Sequence, residues 1–277
     1  MTNYLINAEL THMYSSYLNK DCSGLGNILF QIATVYGLSI TTNRNIEYPE
    51  VLRFAKKLKE EFNLEHINTI YRKCISSNTS IDNVVKYVNW ECSPSVDQVL
   101  EFITNNSNNN VSLQGYLAHP PFYIAYTDKI RELFEVDDNS LQFIKNKYPI
   151  LFDDSYTTIS LHFRYDKIDE VTRMYRAHFV NCINYIKDKV QNPIFLLFSD
   201  SVEFAKKEFE GIDNIIFIEN NPDYIDLWMM AMCKHNICSK STMSWWGAYL
   251  NSNKDKIIIY PNAWHYLFHY IDGSVSI

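Results

Sequence analysis

The chain has 277 residues, and its 25 Lys and Arg against 32 Asp and Glu leave a formal charge of −7. With 47% hydrophobic and 21% charged residues the composition is globular, which excludes a disordered chain, and the length suits one large domain or two smaller ones. The acidic excess argues against a nucleic-acid partner, which needs a basic stripe, and the absence of an uninterrupted apolar run of about 18 residues argues against a membrane span.

In chain order, Met-Thr-Asn-Tyr opens the sequence without a basic leader or an apolar one, so a cytoplasmic protein is expected. Met13 to Leu18 reads as a strand. Ser23-Gly24-Leu25-Gly26-Asn27 reads as a glycine turn into a helix from about Asn27 to Thr41, apolar around most of its surface. Val51 to Phe62 is a charged amphipathic helix. The low-complexity stretch Asn105 to Asn110 reads as a solvated loop, and Val111 to Tyr116 as a strand. Tyr123 to Phe134 and Ser140 to Tyr148 are expected as helices. The acidic turn Phe152-Asp-Asp-Ser155 places a domain boundary near 152, giving domains 1–152 and 153–277.

The second half alternates more cleanly. Strands are expected at Thr157 to His162, Ile194 to Phe198, Ile215 to Ile218, Ile237-Cys238 and Lys256 to Tyr260. Between them lie helices at Arg173 to Val190, Ser201 to Phe209 with a Ser cap, Pro222 to Lys234, and Thr242 to Leu250. Such alternation means parallel βαβ units, hence the α/β class.

Four clusters bear chemistry. Gly24 to Asn27, at a helix start, suits a phosphate or a sugar hydroxyl, although an ordinary strand-to-helix turn has the same pattern. It is neither a Walker loop nor a dinucleotide fingerprint. His162-Phe-Arg164-Tyr-Asp166 ends a buried strand, where open α/β sheets bind ligands. Arg164 suits a diphosphate clamp, or else a structural ion pair with an acid; Asp166, Asp169 and Glu170 offer a carboxylate base. Ser199 and Asp200 suit ribose or base contacts, or capping of the next helix. Asp226 lies early in its helix; Ser241 and Thr242 suit phosphate binding, or capping, while Trp245 and Trp246 read as core. The six cysteines form no Cys-x-x-Cys pair and are expected reduced. Cys233, His235 and Cys238 have no partner pair at zinc spacing, so no metal site is expected.

Taken together and in order, Gly24-Leu-Gly26-Asn27-Ile-Leu-Phe30-Gln31, Ser112-Leu-Gln-Gly-Tyr116, His162-x-Arg164, Phe198-Ser-Asp200 and the block Ser241-Thr-Met-Ser-Trp-Trp-Gly-Ala-Tyr-Leu-Asn251 resemble the alpha-1,2-fucosyltransferases of the bacterial type, glycosyltransferase family 11. The resemblance implies a GT-B architecture, two Rossmann-like domains facing across a cleft. It also implies an inverting, metal-independent transfer of fucose from GDP-fucose to a hydroxyl, such as the 2-OH of galactose, on a glycan acceptor. By the same resemblance Arg164 binds the diphosphate and stabilises the leaving GDP. His162, Asp200 and Asp226 hold the nucleotide, Ser241 and Thr242 bind phosphate oxygens, and Gly26 and Asn27 line the acceptor side. Asp166 and Glu170 are the candidates for base. The family's H-x-R-R-G-D is shortened here to His162-Phe-Arg164-Tyr165-Asp166, and Ile28 replaces the usual Gln. These departures keep open a different nucleotide-linked deoxysugar, and a catalytically inactive member that binds glycan or nucleotide sugar. The lack of an anchor segment suits a cytoplasmic bacterial or viral member.

Overall fold

The structure, a computed structural model, describes residues 4–7, 24–48, 70, 72–74, 83–89, 94–164 and 172–276. The expected strand at Met13 to Leu18 and helix at Val51 to Phe62 lie outside these residues, as do Cys22 and Cys92. The chain divides into two compact units, Met1–Asp137 and Asp138–Ile277. The division falls before the helix expected at Ser140 to Tyr148, not near 152. That helix belongs to the second unit because Lys147 and Tyr148, at its end, bond to the Glu219–Asn221 loop.

The first unit contains β1 (Tyr4–Asn7), α1 (Leu25–Thr42), β2 (Asn45–Glu47), β3 (Val84–Val88), α2 (Val96–Asn105), β4 (Asn110–Gln114) and α3 (Thr127–Leu133). Its sheet is parallel, in the order β2-β1-β4-β3. α1 is its core helix, with Ile28, Leu29, Phe30, Ile32, Ala33, Val35 and Leu38 all nearly inaccessible. By length and composition α1 would also suffice to cross a membrane, yet its residues are mostly buried in this unit. Two of its buried polar side chains bond inside the protein: Gln31 Nε2 donates to the Gly115 carbonyl at 3.0 Å and Thr34 Oγ1 to that of Leu117 at 2.9 Å. Gly115 has φ +148°, and a Cβ there would lie 1.7 Å from the Asn89 carbonyl oxygen, so only glycine fits. The asparagine stretch is not simply a solvated loop. It ends α2 and begins β4, and Arg44 donates to the carbonyls of Ile103, Asn106 and Asn109 at 2.9–3.0 Å, capping the helix C-terminus.

The second unit runs α4 (Asp138–Lys147), β5 (Thr157–Phe163), α5 (Thr172–Lys187), β6 (Pro193–Ser199), α6 (Val202–Glu208), β7 (Ile215–Phe217), α7 (Asp223–Met232), β8 (His235–Ile237), α8 (Thr242–Leu250), β9 (Ile258–Tyr260), α9 (His265–Phe268) and β10 (Ser274–Ser276). All its sheet pairings are parallel, in the order β10-β9-β8-β5-β6-β7. Counted within the unit this is the doubly wound order, in which winding reverses between the first strand, β5, and the fourth, β8. β5 and β6 are buried along most of their length because helices cover parallel sheets on both faces. Phe179, Cys182, Ile183 and Ile186 form the inward stripe of α5 and pack on Ile159, Leu161 and Phe163 of β5. β10 was not expected, since Ser-Val-Ser has little apolar signal; it exists by pairing with β9.

Candidate functional site

Three of the sequence clusters converge at the carboxyl edge of the second sheet. Parallel register sets His162 opposite Phe198, Phe163 opposite Ser199, and Leu161 opposite Ile237. The residues just past these strands, Arg164, Asp200 and the Ser239–Thr242 segment, therefore leave the sheet at one edge. β5 and β8 flank the switch point, where open α/β sheets form their ligand crevice.

His162 is 6% exposed. Its Nδ1 lies 2.5 Å from Ser244 Oγ and 3.3 Å from Ser239 Oγ, and the two hydroxyls are 3.1 Å apart. The Ser239 N–H also donates to Ser244 Oγ at 3.1 Å. This cluster ties the end of β5 to the segment joining β8 to α8 and fixes the imidazole plane. Ser239 was not among the sequence candidates, and Ser244, although within the fourth cluster, was given no role of its own. The available signal was Ser244, a hydroxyl within the apolar run of α8.

Arg164 forms an ion pair through Nε with Asp200 Oδ2 at 3.2 Å, with side-chain exposures of 39% and 26%. Two predicted site residues thus meet, and one reading of Arg164, a pair with an acid, is realised with Asp200. Ser199 Oγ accepts from the Ser201 N–H at 3.1 Å, while Ser201, expected as the side-chain cap of α6, makes no such bond. Ser241 caps α8, accepting from the Met243 N–H at 3.2 Å, and Thr242 is the helix's first residue. A hydroxyl that accepts in a cap still has its own proton to donate. Trp245 and Trp246 are fully buried, as the core reading required.

Asp226 sits in the first turn of α7, which leaves the sheet from β7 at the same edge. It accepts from Asn221 Nδ2 at 2.8 Å. Burial pushes its carboxyl up to about 7; the Asn221 bond and Lys147 pull the other way, and Asp223 pushes further up.

Gly26 and Asn27 lie in the first unit, inside the first turn of α1, which begins at Leu25, two residues before the expected start. Gly24 has an ordinary φ of −62°, and a Cβ there would meet nothing within 4 Å, so its glycine is not demanded by the turn. Asp166, Asp169 and Glu170 lie outside the described residues. Cys233, His235 and Cys238 are engaged separately. His235 Nδ1 accepts from the Ile257 N–H at 2.9 Å, and the Cys238 thiol lies 3.7 Å from the Ser244 carbonyl. Burial raises both thiols, Cys233 and Cys238, beyond the usual range. Among the described residues no group of three or more His, Cys, Asp or Glu is arranged to hold a metal ion.

The sequence pattern of glycosyl transferase family 11 matches residues 25–270. Two Escherichia coli proteins are similar along most of their length. An alpha-1,2-colitosyltransferase is 26% identical over 262 residues, covering 87% of this chain and 89% of the relative. The O-antigen biosynthesis glycosyltransferase WbnK is 27% identical over 281 residues, covering 87% and 92%. Among solved structures, the fucosyltransferase NodZ from Bradyrhizobium superposes with a TM-score of 0.57 at 12% identity, covering 90% of this chain and 92% of NodZ. NodZ alpha-1,6-fucosyltransferase co-crystallised with GDP gives 0.59, also at 12% identity, covering 89% and 92%.

Proposed function

This chain belongs to glycosyl transferase family 11 and has the GT-B fold of the fucosyltransferases, and we propose that it moves fucose from GDP-fucose to a hydroxyl of a glycan, such as the 2-OH of a galactose, with inversion and without a metal ion. It is a glycosyltransferase of the fucosyltransferase type. The observation that carries the donor assignment is the meeting of His162, the Arg164–Asp200 pair and the Ser239–Thr242 segment at the switch point of the second sheet.

In this reading the acceptor oxygen attacks the anomeric carbon as the bond from that carbon to the β-phosphate oxygen breaks. Negative charge then gathers on the departing GDP. Arg164 meets it with a guanidinium that Asp200 holds in orientation, and a fixed donor of this kind is worth about 10²–10³ in rate. Ser241 and Thr242, with the first N–H groups of α8, bind phosphate oxygens at the positive end of the helix. His162 and Asp226 hold the nucleoside. The acceptor proton passes to a carboxylate, for which Asp166 and Glu170 are the candidates. Gly26 and Asn27 contribute to the acceptor side.

A second reading replaces fucose by another deoxysugar, and it is favoured by the relative named as a colitosyltransferase. Calorimetry with GDP, GDP-fucose, GDP-mannose, UDP and dTDP tests both. The expected result is selective binding of GDP and GDP-fucose. Binding of GDP without GDP-fucose leaves the nucleotide site and moves the sugar to another deoxyhexose; binding of none overturns the donor reading.

A further inference from the structure

Lys147 and Tyr148 stand at the end of α4, marked by no motif, yet both reach the loop that precedes α7. The Lys147 ammonium has three N–H groups and meets three acceptors: the Glu219 carbonyl at 3.1 Å, the Asn220 carbonyl at 3.2 Å and Asn221 Oδ1 at 2.7 Å. The Tyr148 hydroxyl lies 3.1 Å from the same Asn221 Oδ1 and 3.3 Å from the Glu219 carbonyl. Asn220 has φ +58°, the left-handed conformation asparagine tolerates, and Pro222 follows at the N-cap of α7. The loop is thus turned sharply and pinned by a cation.

The amide of Asn221 has one orientation available. Its oxygen lies 2.7 Å from an ammonium, which can only donate; reversed, its NH₂ would face that donor and its oxygen would face the Asp226 carboxylate. Nδ2 is therefore directed at Asp226 Oδ1, 2.8 Å away, with the Met229 sulfur at 3.7 Å. We propose that Lys147, Tyr148 and Asn221 form a positioning relay that presents the Asp226 carboxylate, ionised and in one orientation, to the nucleotide of the donor. The relay rests on the reading that the second unit binds the donor.

Burial works against this ionised state, and Asn221 and Lys147 oppose burial. The charged and titratable groups around Asp226 are Asp223 on its own helix, Lys147 and Tyr148 from α4, and Glu219 on the loop. β5, behind α7, carries His162, and α8 carries Tyr249. Among the side chains of the described residues, Asn221 and Lys147 are the ones that favour the carboxylate, together with the positive end of α7. Removing Asn221's donor shifts the balance toward the protonated acid, which no longer offers two acceptor oxygens.

The test uses the full chain with Asn221→Leu, Lys147→Met and the conservative Lys147→Arg, with melting temperatures taken to establish folding. In ligand-free protein, the ¹³C titration of the Asp226 carboxyl is expected to move to higher pH in Asn221→Leu and Lys147→Met, and to return toward wild type in Lys147→Arg. GDP affinity at pH 7 is expected to fall about tenfold in Asn221→Leu, the loss shrinking as pH rises toward 8.5. An Asp226 midpoint unmoved in both Asn221→Leu and Lys147→Met overturns the relay, as does a GDP affinity that is unchanged or is lost equally at every pH. Wild-type protein that binds no GDP overturns the donor reading instead, and the carboxyl titration then still decides whether Asn221 and Lys147 set the state of Asp226.

Discussion

Arg164 is the residue for which structure and chemistry make different demands. Its ion pair with Asp200 is partly exposed, and such pairs contribute about 0–1 kcal/mol to stability. Charge stabilisation on a leaving diphosphate is worth far more. Arg164→Ala is therefore expected to lower turnover at least about 100-fold while shifting the urea midpoint little, measured on the same preparation. An equal loss of both would make the pair structural. Asp226 yields a prediction in pH. Unfolded, its carboxyl ionises near about pH 4, whereas folded it holds its proton to about 7. Across that window the native state binds more protons than the unfolded one, so stability falls as pH rises from about 4 to 7 and is level above. The side chain keeps some contact with solvent, so the effect is on the order of 2 kcal/mol. Asp226→Asn is expected to remove this slope, giving a higher urea midpoint than wild type at pH 8, and to weaken GDP binding. A slope that persists in the variant assigns it to another group.

Elements meet in this fold at positions where the side chains leave little room. α7 and α8 approach at Gly247, where a Cβ would lie 2.8 Å from Met230 Cβ and 3.3 Å from its sulfur. Replacing a helical glycine by alanine ordinarily stabilises by about 1 kcal/mol. Here the overpacking reverses the sign, and Gly247→Ala is expected to destabilise by about 1–3 kcal/mol, read from chemical denaturation. A stabilised variant would mean that the Met230 side chain yields without cost. The sequence showed α8 over its full span, because Ser241 and the apolar run that follows mark a capped, buried helix. Other elements were less legible. The asparagine stretch resembled a loop because Arg44, which caps α2 there, lies far away in the chain. Ser201 looked like a cap, but its side chain makes no cap bond, and its own N–H donates to Ser199 Oγ.

At the scale of the whole chain, both units are built on parallel sheets, and the second has the doubly wound order, with His162, Arg164, Ser241 and Thr242 on the segments that flank the switch point. In the proposed reading a guanidinium, hydroxyls and helix N–H groups supply the charge compensation that a divalent ion would otherwise give to a diphosphate. Activity is accordingly expected to be unchanged by EDTA, measured as transfer from GDP-fucose to a galactoside. A loss restored by Mg²⁺ or Mn²⁺ would sink the metal-independent mechanism. The sequence sets a boundary at the acidic turn Phe152–Ser155 because it resembles a linker, whereas the compact units divide between Asp137 and Asp138. The bonds from Lys147 and Tyr148 that attach α4 to the second unit leave no local mark.

By itself the sequence determined the α/β class, the strands and helices of the second half and the family, because hydrophobic period, caps and motif order are written in neighbouring residues. Only the tertiary structure decided which acid Arg164 meets, which serines hold His162, that Ser-Val-Ser becomes an edge strand, and that Lys147 governs the loop before Asp226. Each of those joins residues distant in the chain. Such contacts are selected by packing and by the need to satisfy buried polar groups, which no local pattern encodes.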